Sequence, residues 1–395
     1  MRITEVECIP VQAPGRTLVP ILVQTDAGLT GIGEAGLQRR WHGIAGVVRH
    51  LREWLVGEDP FRVEHLWQRL FRGGFYPADK LIGSAIAGID IALWDLKAQA
   101  LGVPVYELLG GRCRDWVECF LPPGYLAGPE ARPVGDLLPA VDGGDVDAAA
   151  ELAVRMQANG HRYYRTGPHA SGLLMEPGRA VERLIAQLRA VRAAVGDRLE
   201  LMVDCHTRLD LPEAMRLCTE LAPLGIFAVE DPLRSEYPEG YRQLRRQTTV
   251  PLAAGEQWAN KWEFRQVIEE DLVDYLRIDL CNAAGLTEAR KIAGWAETHH
   301  QRLLLHNPLG PVCTAACLHL DLACGHAGPQ EVIFPPAEIL PEVFECAFRL
   351  DGIRLTLPEG PGLGVRFNRE AAREHPPLMT EPPHFHRPDG AFTNY

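Results

Sequence analysis

The stretch LELMVDCH at 199–206 decides the fold, because it joins an apolar run of strand length to an acid at the end of that run. The same arrangement returns in IFAVED at 226–231 and in PLAAGE at 251–256. Short apolar runs bounded by polar residues are typical of strands buried on both faces, as in a parallel sheet. We therefore expect each of these stretches to be one strand of a parallel sheet.

Such runs recur along the middle of the chain, and segments with apolar residues at helical spacing separate them. The strand candidates are WVECFL (116–121), HRYYRT (161–166), LELMVD (199–204), IFAVED (226–231), PLAAGE (251–256), DYLRID (274–279), RLLLHN (302–307) and QEVIF (330–334). Seven or eight strands that are each followed by a helix favour a (β/α) barrel, since no glycine-rich nucleotide motif follows the first strand. An open, doubly wound α/β sheet stays an alternative.

The residues on either side of these runs have a different sequence pattern. Two alternating runs at 3–11 and 17–25, closed by the turn-like TDAGLTGIG at 25–33, predict a small antiparallel sheet, and three amphipathic segments predict helices at 42–57, 61–75 and 81–102. The segments at 121–145 and beyond about 355 are rich in proline and predict loops. The predicted domains are an α+β domain at 1–115, the barrel at 116–335 and a C-terminal segment at 336–395 that returns to the first domain.

Composition excludes several classes of function. The 395 residues include 40 basic and 52 acidic side chains, and the resulting net charge of -12 disfavours nucleic acid and anionic membranes as partners. The charged start MRITEVECIP and the absence of a long apolar run predict neither a secretory signal nor a membrane span. Ten scattered cysteines suggest a reducing compartment, so we expect a cytoplasmic protein.

Ionisable residues stand at the end of nearly every strand candidate. They are Arg165, Asp204, His206, Glu230, Glu256, Asp279, His306 and Glu331. In a closed barrel the C-terminal ends of the strands converge on one mouth. Because converging carboxylates repel one another unless a cation compensates them, this pattern predicts a metal, with Mg²⁺ preferred over Mn²⁺ and Zn²⁺ for oxygen ligands.

The spacing of three of these acids supports the metal. Asp204, Glu230 and Glu256 are 26 residues apart at each step, which is one strand and one helix per ligand. A single acid at a strand end can equally well cap the next helix or be solvated. Three acids at equal intervals, each after an apolar run, favour a shared cation.

Two of the histidines have neighbours that suit acid-base chemistry. His206 lies two residues beyond Asp204, so both side chains would share a face if the segment is extended. His306 and Asp279 end neighbouring strand candidates and could form a pair. Such a carboxylate orients the imidazole and raises its basicity, as a general base requires.

These motifs carry a resemblance that extends over nearly the whole chain. The run from LELMVDCH through IDLCNAAGLTEARKIAGWAE (278–297) to LLLHNPLGPVCTAACLHLD (303–321) resembles the mandelate racemase branch of the enolase superfamily. Within that branch it is most similar to the D-galactonate dehydratase group of sugar-acid dehydratases. The segment GFYPADKLIGSAIAGIDIALWDLKAQALGVPVYELLGG (74–111) is similar to the helices of the family's capping domain.

The resemblance implies a fold and a set of roles. The fold would be a modified (β/α)7β barrel of the TIM type with an N-terminal α+β capping domain. The implied roles are Mg²⁺ ligation, one ion per subunit, by Asp204, Glu230 and Glu256, a catalytic dyad of Asp279 with His306, a second acid/base at His206, and a substrate-contacting carboxylate at Glu331. The implied reaction is dehydration of a sugar acid by a hydro-lyase, in a homo-oligomer.

The second strand departs from the family pattern. Many relatives have a lysine, or a Lys-x-Lys or Lys-x-Asn pair, at its end, whereas this chain has Arg165 and Gly167. Arginine keeps its proton, so it can hold an anionic substrate but is a poor base. Other candidates for substrate contacts are Arg208 and His42, and His169 and Arg16 could bind distal hydroxyls.

Two alternatives stay open at this point. In a racemase or epimerase of hydroxy acids, His206 and His306 would exchange the α-proton on opposite faces of the substrate. A non-catalytic descendant of the fold would explain Arg165 and Gly167, although it would not need the histidine and its aspartate.

Overall fold

The computed structural model describes residues 1–124, 135–356 and 360–393. Backbone contacts divide the chain into two compact units. Unit 1 consists of Met1–Cys119, Glu256–Arg265 and Arg277–Glu381, and unit 2 holds most of 120–255, Gln266–Leu276 and the C-terminal residues from Pro382 onward. The predicted domain boundaries at 115 and 335 stay predictions.

The elements alternate between strand and helix from residue 117 to residue 331. The strands are β1 (Ile3–Cys8), β2 (Val11–Ala13), β3 (Arg16–Leu18), β4 (Pro20–Thr25), β5 (Thr30–Glu34), β6 (Val117–Phe120), β7 (Tyr163–Thr166), β8 (Glu200–Asp204), β9 (Ile226–Glu230), β10 (Leu252–Ala254), β11 (Tyr275–Leu276), β12 (Arg302–Leu303), β13 (Gln330–Glu331), β14 (Phe344–Cys346), β15 (Arg349–Asp351), β16 (Arg354–Thr356) and β17 (Val365–Phe367). The α-helices are α1 (Trp41–Leu55), α2 (Val63–Arg72), α3 (Lys80–Leu101), α4 (Val105–Leu108), α5 (Leu138–Gly143), α6 (Val146–Ala158), α7 (Pro177–Val195), α8 (Leu211–Leu221), α9 (Pro238–Arg245), α10 (Lys261–Glu269), α11 (Leu286–Thr298), α12 (Pro311–Ala323) and α13 (Arg369–Ala372).

Unit 1 begins with an antiparallel sheet in the order β1-β4-β5, beside a β2-β3 hairpin. The prediction of a turn over 25–33 was wrong for its second half, because β5 is a strand. Its glycines let it lie directly on α3: a Cβ at Gly31 would come within 2.1 Å of the Ala92 carbonyl oxygen, and one at Gly33 within 1.8 Å of that of Gly88. Glycine, a usual signal of a turn, serves here for close packing.

Helix α3 is the central element of the N-terminal part of unit 1. Asp79 caps its start by accepting a hydrogen bond from the N–H of Ile82 (2.9 Å), and Gly102 ends it in a left-handed conformation with φ of 70°. The helix is buried on most sides, which is expected of a segment that is apolar all round. The three predicted N-terminal helices are confirmed as α1, α2 and α3.

The C-terminal residues of unit 1 contain more regular structure than the sequence predicted. The tail was expected to be a loop, but β16 pairs with β15 and β6, and β17 pairs with β14. The strands β14, β15, β16 and β17 are three residues long, too short for alternation to be read from the sequence. The N–H of Leu363 donates to Asp95 Oδ1 (2.8 Å), so this segment contacts α3 within the same unit.

Unit 2 contains parallel strands in the order β7-β8-β9-β10-β11. Helices α6, α7, α8 and α9 alternate with these strands along the chain. The loop predicted at 121–145 includes the short helix α5, and residues 125–134 of it lie outside the described part. All eight strands predicted between 116 and 334 are confirmed, although β11, β12 and β13 are only two residues long.

Among the described residues, no helix has both the length and the apolar character needed to cross a lipid bilayer.

We expect Asp95→Ala to lower the free energy of unfolding by about 2–5 kcal/mol, because it leaves buried N–H groups without acceptors. Asp95 is 2% exposed, and its carboxylate accepts the N–H groups of Ile32 (2.9 Å) and Leu363 (2.8 Å). Urea denaturation measures the loss. The exposed Asp115→Ala serves as a control and should change stability by less than about 0.5 kcal/mol; equal midpoints for both variants would contradict this role of Asp95.

Candidate active site

Two buried carboxylates lie side by side in unit 2. Asp204 ends β8, Glu230 ends β9, and the two residues face each other in the parallel register. Their exposures are 2% and 1%. Adjacent buried carboxylates repel unless a positive charge compensates them. This pair therefore requires a cation.

Arg165 supplies a positive charge to this pair. It is the third residue of β7, and its guanidinium donates one hydrogen bond to Asp204 Oδ2 and another to Glu230 Oε2 at 3.3 Å. This contact explains how both carboxylates can be buried: the guanidinium of Arg165 supplies the positive charge between them. It also marks the position between Asp204 and Glu230 as one that a cation fits.

His206 approaches Asp204 by a route that the sequence did not predict. The segment is not extended, because β8 ends at Asp204 and the next turn is left-handed, with φ of 47° at His206 and 57° at Thr207. The His206 N–H donates to Asp204 Oδ1 (3.0 Å), and the ring Nε2 lies 3.0 Å from Asp204 Oδ2. Positive φ is costly for residues other than glycine and is concentrated at functional turns.

Gly167 is fixed by a close backbone approach. A Cβ at this position would lie 2.0 Å from the carbonyl oxygen of Asp204. No side chain can be added here without a shift of backbone. The departure from an asparagine at this position is therefore built into the local fold of β7 and β8.

The predicted contact between His306 and Asp279 is present in unit 1, and its catalytic role stays a prediction. Nδ1 of His306 lies 2.9 Å from Oδ2 of Asp279, which is completely buried. The Asp279 carboxylate also accepts the N–H of Cys281 (2.8 Å), and the N–H (3.1 Å) and side-chain amide (2.9 Å) of Asn282. Several donors on one carboxylate hold it in one orientation. Asp279 can therefore fix the ring of His306 in one orientation.

The other ring nitrogen of His306 faces Glu256. The distance from Nε2 to Glu256 Oε2 is 3.3 Å. Burial lowers the pKa of His306, but the charges of Glu256, Glu331 and Asp279 outweigh burial and raise the pKa to about 9. Since a base must be neutral to accept a proton, a positive charge bound to Glu256 would favour the reactive form of His306.

Glu331 has a partner that sequence reasoning missed. The guanidinium of Arg277, which is fully buried, donates to Glu331 Oε2 (2.5 Å) and to the carbonyl oxygens of Leu304 and Leu305. The N–H of Asn307 also donates to Glu331 Oε2 (3.1 Å). An arginine inside the apolar run DYLRID, two residues before Asp279, was the available signal for this ion pair.

Arg208 and His42 were also predicted to contact the substrate. Arg208 donates to the carbonyl oxygen of Pro168 (3.0 Å) and lies over the ring of Phe385, 5.0 Å from its centroid, so within unit 2 it supports the loop after β7. His42 is exposed and stacks on Trp41. Roles for Arg208 and His42 in binding substrate stay predictions.

Strands and helices alternate along the chain, carboxylates stand at the strand ends, and His306 pairs with Asp279, an arrangement typical of α/β barrel enzymes. The model of the mandelate racemase / muconate lactonizing enzyme N-terminal domain matches residues 10–110, and the enolase C-terminal domain-like model matches residues 148–371. The chain therefore belongs to the mandelate racemase / muconate lactonizing enzyme family of the enolase superfamily. The predicted fold class, a capping domain with an α/β barrel, is confirmed by this membership.

Relatives within this family place the chain more closely. It is 38% identical over 355 residues to D-galactonate dehydratase of Ralstonia nicotianae, covering 87% of each chain, and 38% identical over 371 residues to that of Variovorax paradoxus, covering 91% of this chain and 92% of the relative. An enolase from Pantoea ananatis with bound D-gluconate and Mg has a TM-score of 0.88 at 28% identity, and one from Agrobacterium radiobacter with bound Na and L-malate has 0.87 at 27%; both comparisons cover 100% of each chain. The predicted similarity to the D-galactonate dehydratase group is confirmed.

We expect Arg277→Met to destabilise the protein by about 3–5 kcal/mol, because it leaves the Glu331 carboxylate buried without its cation. Thermal unfolding followed by circular dichroism measures the change. The double variant Arg277→Met/Glu331→Leu removes both charges and should recover much of the loss. If Arg277→Met and the parent protein have the same melting temperature, the buried ion pair is not needed to hold Glu331.

Proposed function

We propose that the protein is a Mg²⁺-dependent dehydratase of an acid sugar, an aldonate such as D-galactonate or a related sugar acid, and that its product is a 2-keto-3-deoxy acid. The observation that carries this proposal is the hydrogen-bonded pair of His306 and Asp279 in a chain that is 38% identical to D-galactonate dehydratases. A buried, oriented imidazole is the group needed to remove a proton from carbon.

The ligands that we propose for Mg²⁺ are Asp204, Glu230 and Glu256. They fit a hard cation because all three offer carboxylate oxygens, and because Asp204 and Glu230 already hold a guanidinium between them. Each stands at or just beyond the end of a successive parallel strand, and in a barrel such positions converge on one mouth. When bound, Mg²⁺ would stabilise the negative charge that develops on the substrate carboxylate.

His306 is proposed to remove the proton at C2 of the sugar acid. The electron pair of the C2–H bond moves toward the carboxylate and gives an enediolate, while Asp279 keeps the imidazole in place and stabilises its charged form. The distance of 2.9 Å between His306 Nδ1 and Asp279 Oδ2 is that of a hydrogen bond, which suits this positioning.

His206 is proposed to act as the acid in the second step. As the enediolate collapses to a C2–C3 double bond, the C3–O bond breaks and His206 gives its proton to the departing hydroxyl, which leaves as water. The enol that remains tautomerises to the 2-keto-3-deoxy acid. The side chain of His206 is 38% exposed, which agrees with a group that must reach a substrate.

Arg165 and Glu331 are proposed to contact the substrate. Arg165 cannot give up its proton under ordinary conditions, so it would hold the carboxylate or the enediolate electrostatically and leave proton abstraction to His306. This division of roles disfavours the racemases of the family that use a lysine at this position as a base. We further propose that the protein is a homo-oligomer, as the sequence resemblance suggests.

We expect His306→Asn to lower kcat by about 10²- to 10⁴-fold, because the change removes the group proposed to accept the C2 proton. Turnover of D-galactonate and other four- to six-carbon sugar acids with Mg²⁺ is followed with a carbonyl reagent that detects the 2-keto product. The exposed His65→Asn is the matched control and should retain parental activity. Full turnover by His306→Asn would contradict the assignment, and exchange at C2 without a keto product would identify an epimerase instead.

We expect Glu230→Gln to weaken Mg²⁺ binding at least about tenfold, because even residues that only support metal ligands contribute 10- to 100-fold to affinity. Isothermal titration of the metal-free protein with Mg²⁺ measures the dissociation constant without any need for substrate. Glu239→Gln, an exposed acid on α9, is the control. Unchanged Mg²⁺ affinity in Glu230→Gln would exclude Glu230 as a ligand.

A further inference from the structure

Arg16 in β3 is a partly buried cation that has no ion-pair partner within the described residues. Its Nε is buried without a hydrogen-bond partner, and its guanidinium makes no hydrogen bond or ion pair with the part of the chain that the structure describes. Burial lowers the pKa of Arg16. Taking a guanidinium out of water without new partners costs free energy, so an arginine in this state is poorly explained by stability alone.

Two buried carboxylates of unit 1 attract Arg16 but do not bond to it. The charges of Glu331 and Glu34 raise its pKa and partly offset the effect of burial. Glu331 is already occupied by Arg277 and Asn307, and Glu34 accepts the N–H of Cys313 at 3.0 Å. The donors of Arg16 are thus left available while the charge stays in place.

The backbone and one aromatic ring hold the guanidinium in position. Arg16 pairs with Ala13 across the β2-β3 hairpin, and its guanidinium lies over the ring of Phe334, 5.3 Å from the centroid. Phe334 follows Glu331 by three residues, so the stacking partner belongs to the same strand end as the proposed substrate contact. Arg16 also lines a cavity of about 140 Å³, whose other lining residues are apolar except for Glu338. A side chain fixed before a ligand arrives loses little entropy on binding.

The charge of Glu331 acts on both Arg16 and His306. Glu331 raises the pKa of both Arg16 and His306, which places both groups within the electrostatic reach of one residue of unit 1. A guanidinium has a planar fork of donors that matches a carboxylate, and it suits such a ligand better than an ammonium does.

From these observations we propose that Arg16 binds a carboxylate of the acid-sugar substrate and determines which acids the enzyme accepts. This inference rests on the proposed function. A carboxylate can come from C1, which every aldonate carries, or from the far end of an aldarate. The two sources share one chemistry, and comparison of a monoacid with a diacid separates them.

The test compares Arg16→Met and Arg16→Lys with the parent protein, using D-galactonate and galactarate with Mg²⁺. For Arg16→Met we expect KM to rise about 10- to 100-fold with a much smaller change in kcat, because a charge-assisted contact to substrate is lost. Arg16→Lys should recover part of the loss, and added guanidinium ion should partly restore Arg16→Met. The exposed Arg40→Met, which removes the same group from a surface ion pair with Glu381, is the control.

The melting temperature separates a binding role from a structural one. Arg16→Met should melt at or above the parental temperature, because the change removes an unpaired charge. A lower melting temperature with unchanged KM would assign Arg16 to the fold and overturn the proposal. Equal losses for both acids would identify the C1 carboxylate, and a loss confined to galactarate would identify the terminal one.

Calorimetric binding of the same acids keeps this inference separate from the proposed function. If the parent protein binds D-galactonate but does not dehydrate it, the proposed reaction fails, and weaker binding by Arg16→Met still supports the role of Arg16. Equal binding by the two proteins overturns that role. A parent protein that neither binds nor converts either acid overturns both proposals.

Discussion

Burial of carboxylates is the constraint on which the rest of this structure depends. A carboxylate taken out of water requires a cation or several hydrogen-bond donors beside it. In unit 2 the guanidinium of Arg165 spans Asp204 and Glu230, and in unit 1 Arg277 holds Glu331. Asp279 is satisfied differently, by backbone and amide N–H groups together with His306. Each of these carboxylates therefore has donors beside it that offset the cost of its burial.

The identity of each compensating group limits the chemistry. Arg165 keeps its proton, so the end of β7 cannot supply a base at this position. Proton abstraction then depends on His306, and the carboxylate that orients it is fixed from several directions. Gly167, pressed against the Asp204 carbonyl, excludes an amide contact to the substrate from this strand. Selectivity must come from elsewhere, and the available guanidinium of Arg16 in the N-terminal hairpin is one source.

Much of the fold could be predicted from the sequence because the pattern of apolar runs is determined by burial. The eight strands between 116 and 334 and the long helices were found in this way. The strand β5 was missed, since Gly31 and Gly33 signal a turn but serve here to pack a strand on α3. The short C-terminal strands were missed because three residues carry no readable alternation.

The candidate site was predicted to a similar extent. The pairing of His306 with Asp279 followed from residue types at neighbouring strand ends, and the structure confirms the contact. The left-handed turn at His206 could not be read from the sequence, because it depends on backbone packing after β8. The partners of Arg277, and the absence of a hydrogen-bond partner for Nε of Arg16 among the described residues, depend on contacts between residues far apart in the chain, which residue types alone do not specify.

The central claim is that this chain removes the C2 proton of a sugar acid and expels the 3-hydroxyl. The most direct test is proton NMR of D-galactonate incubated with the protein and Mg²⁺ in deuterium oxide. We predict loss of the C2 proton signal together with formation of a 2-keto-3-deoxy acid that carries solvent deuterium at C3. Retention of the C2 proton in D-galactonate and in every other aldonate and aldarate tested, with protein that binds Mg²⁺, would contradict the account.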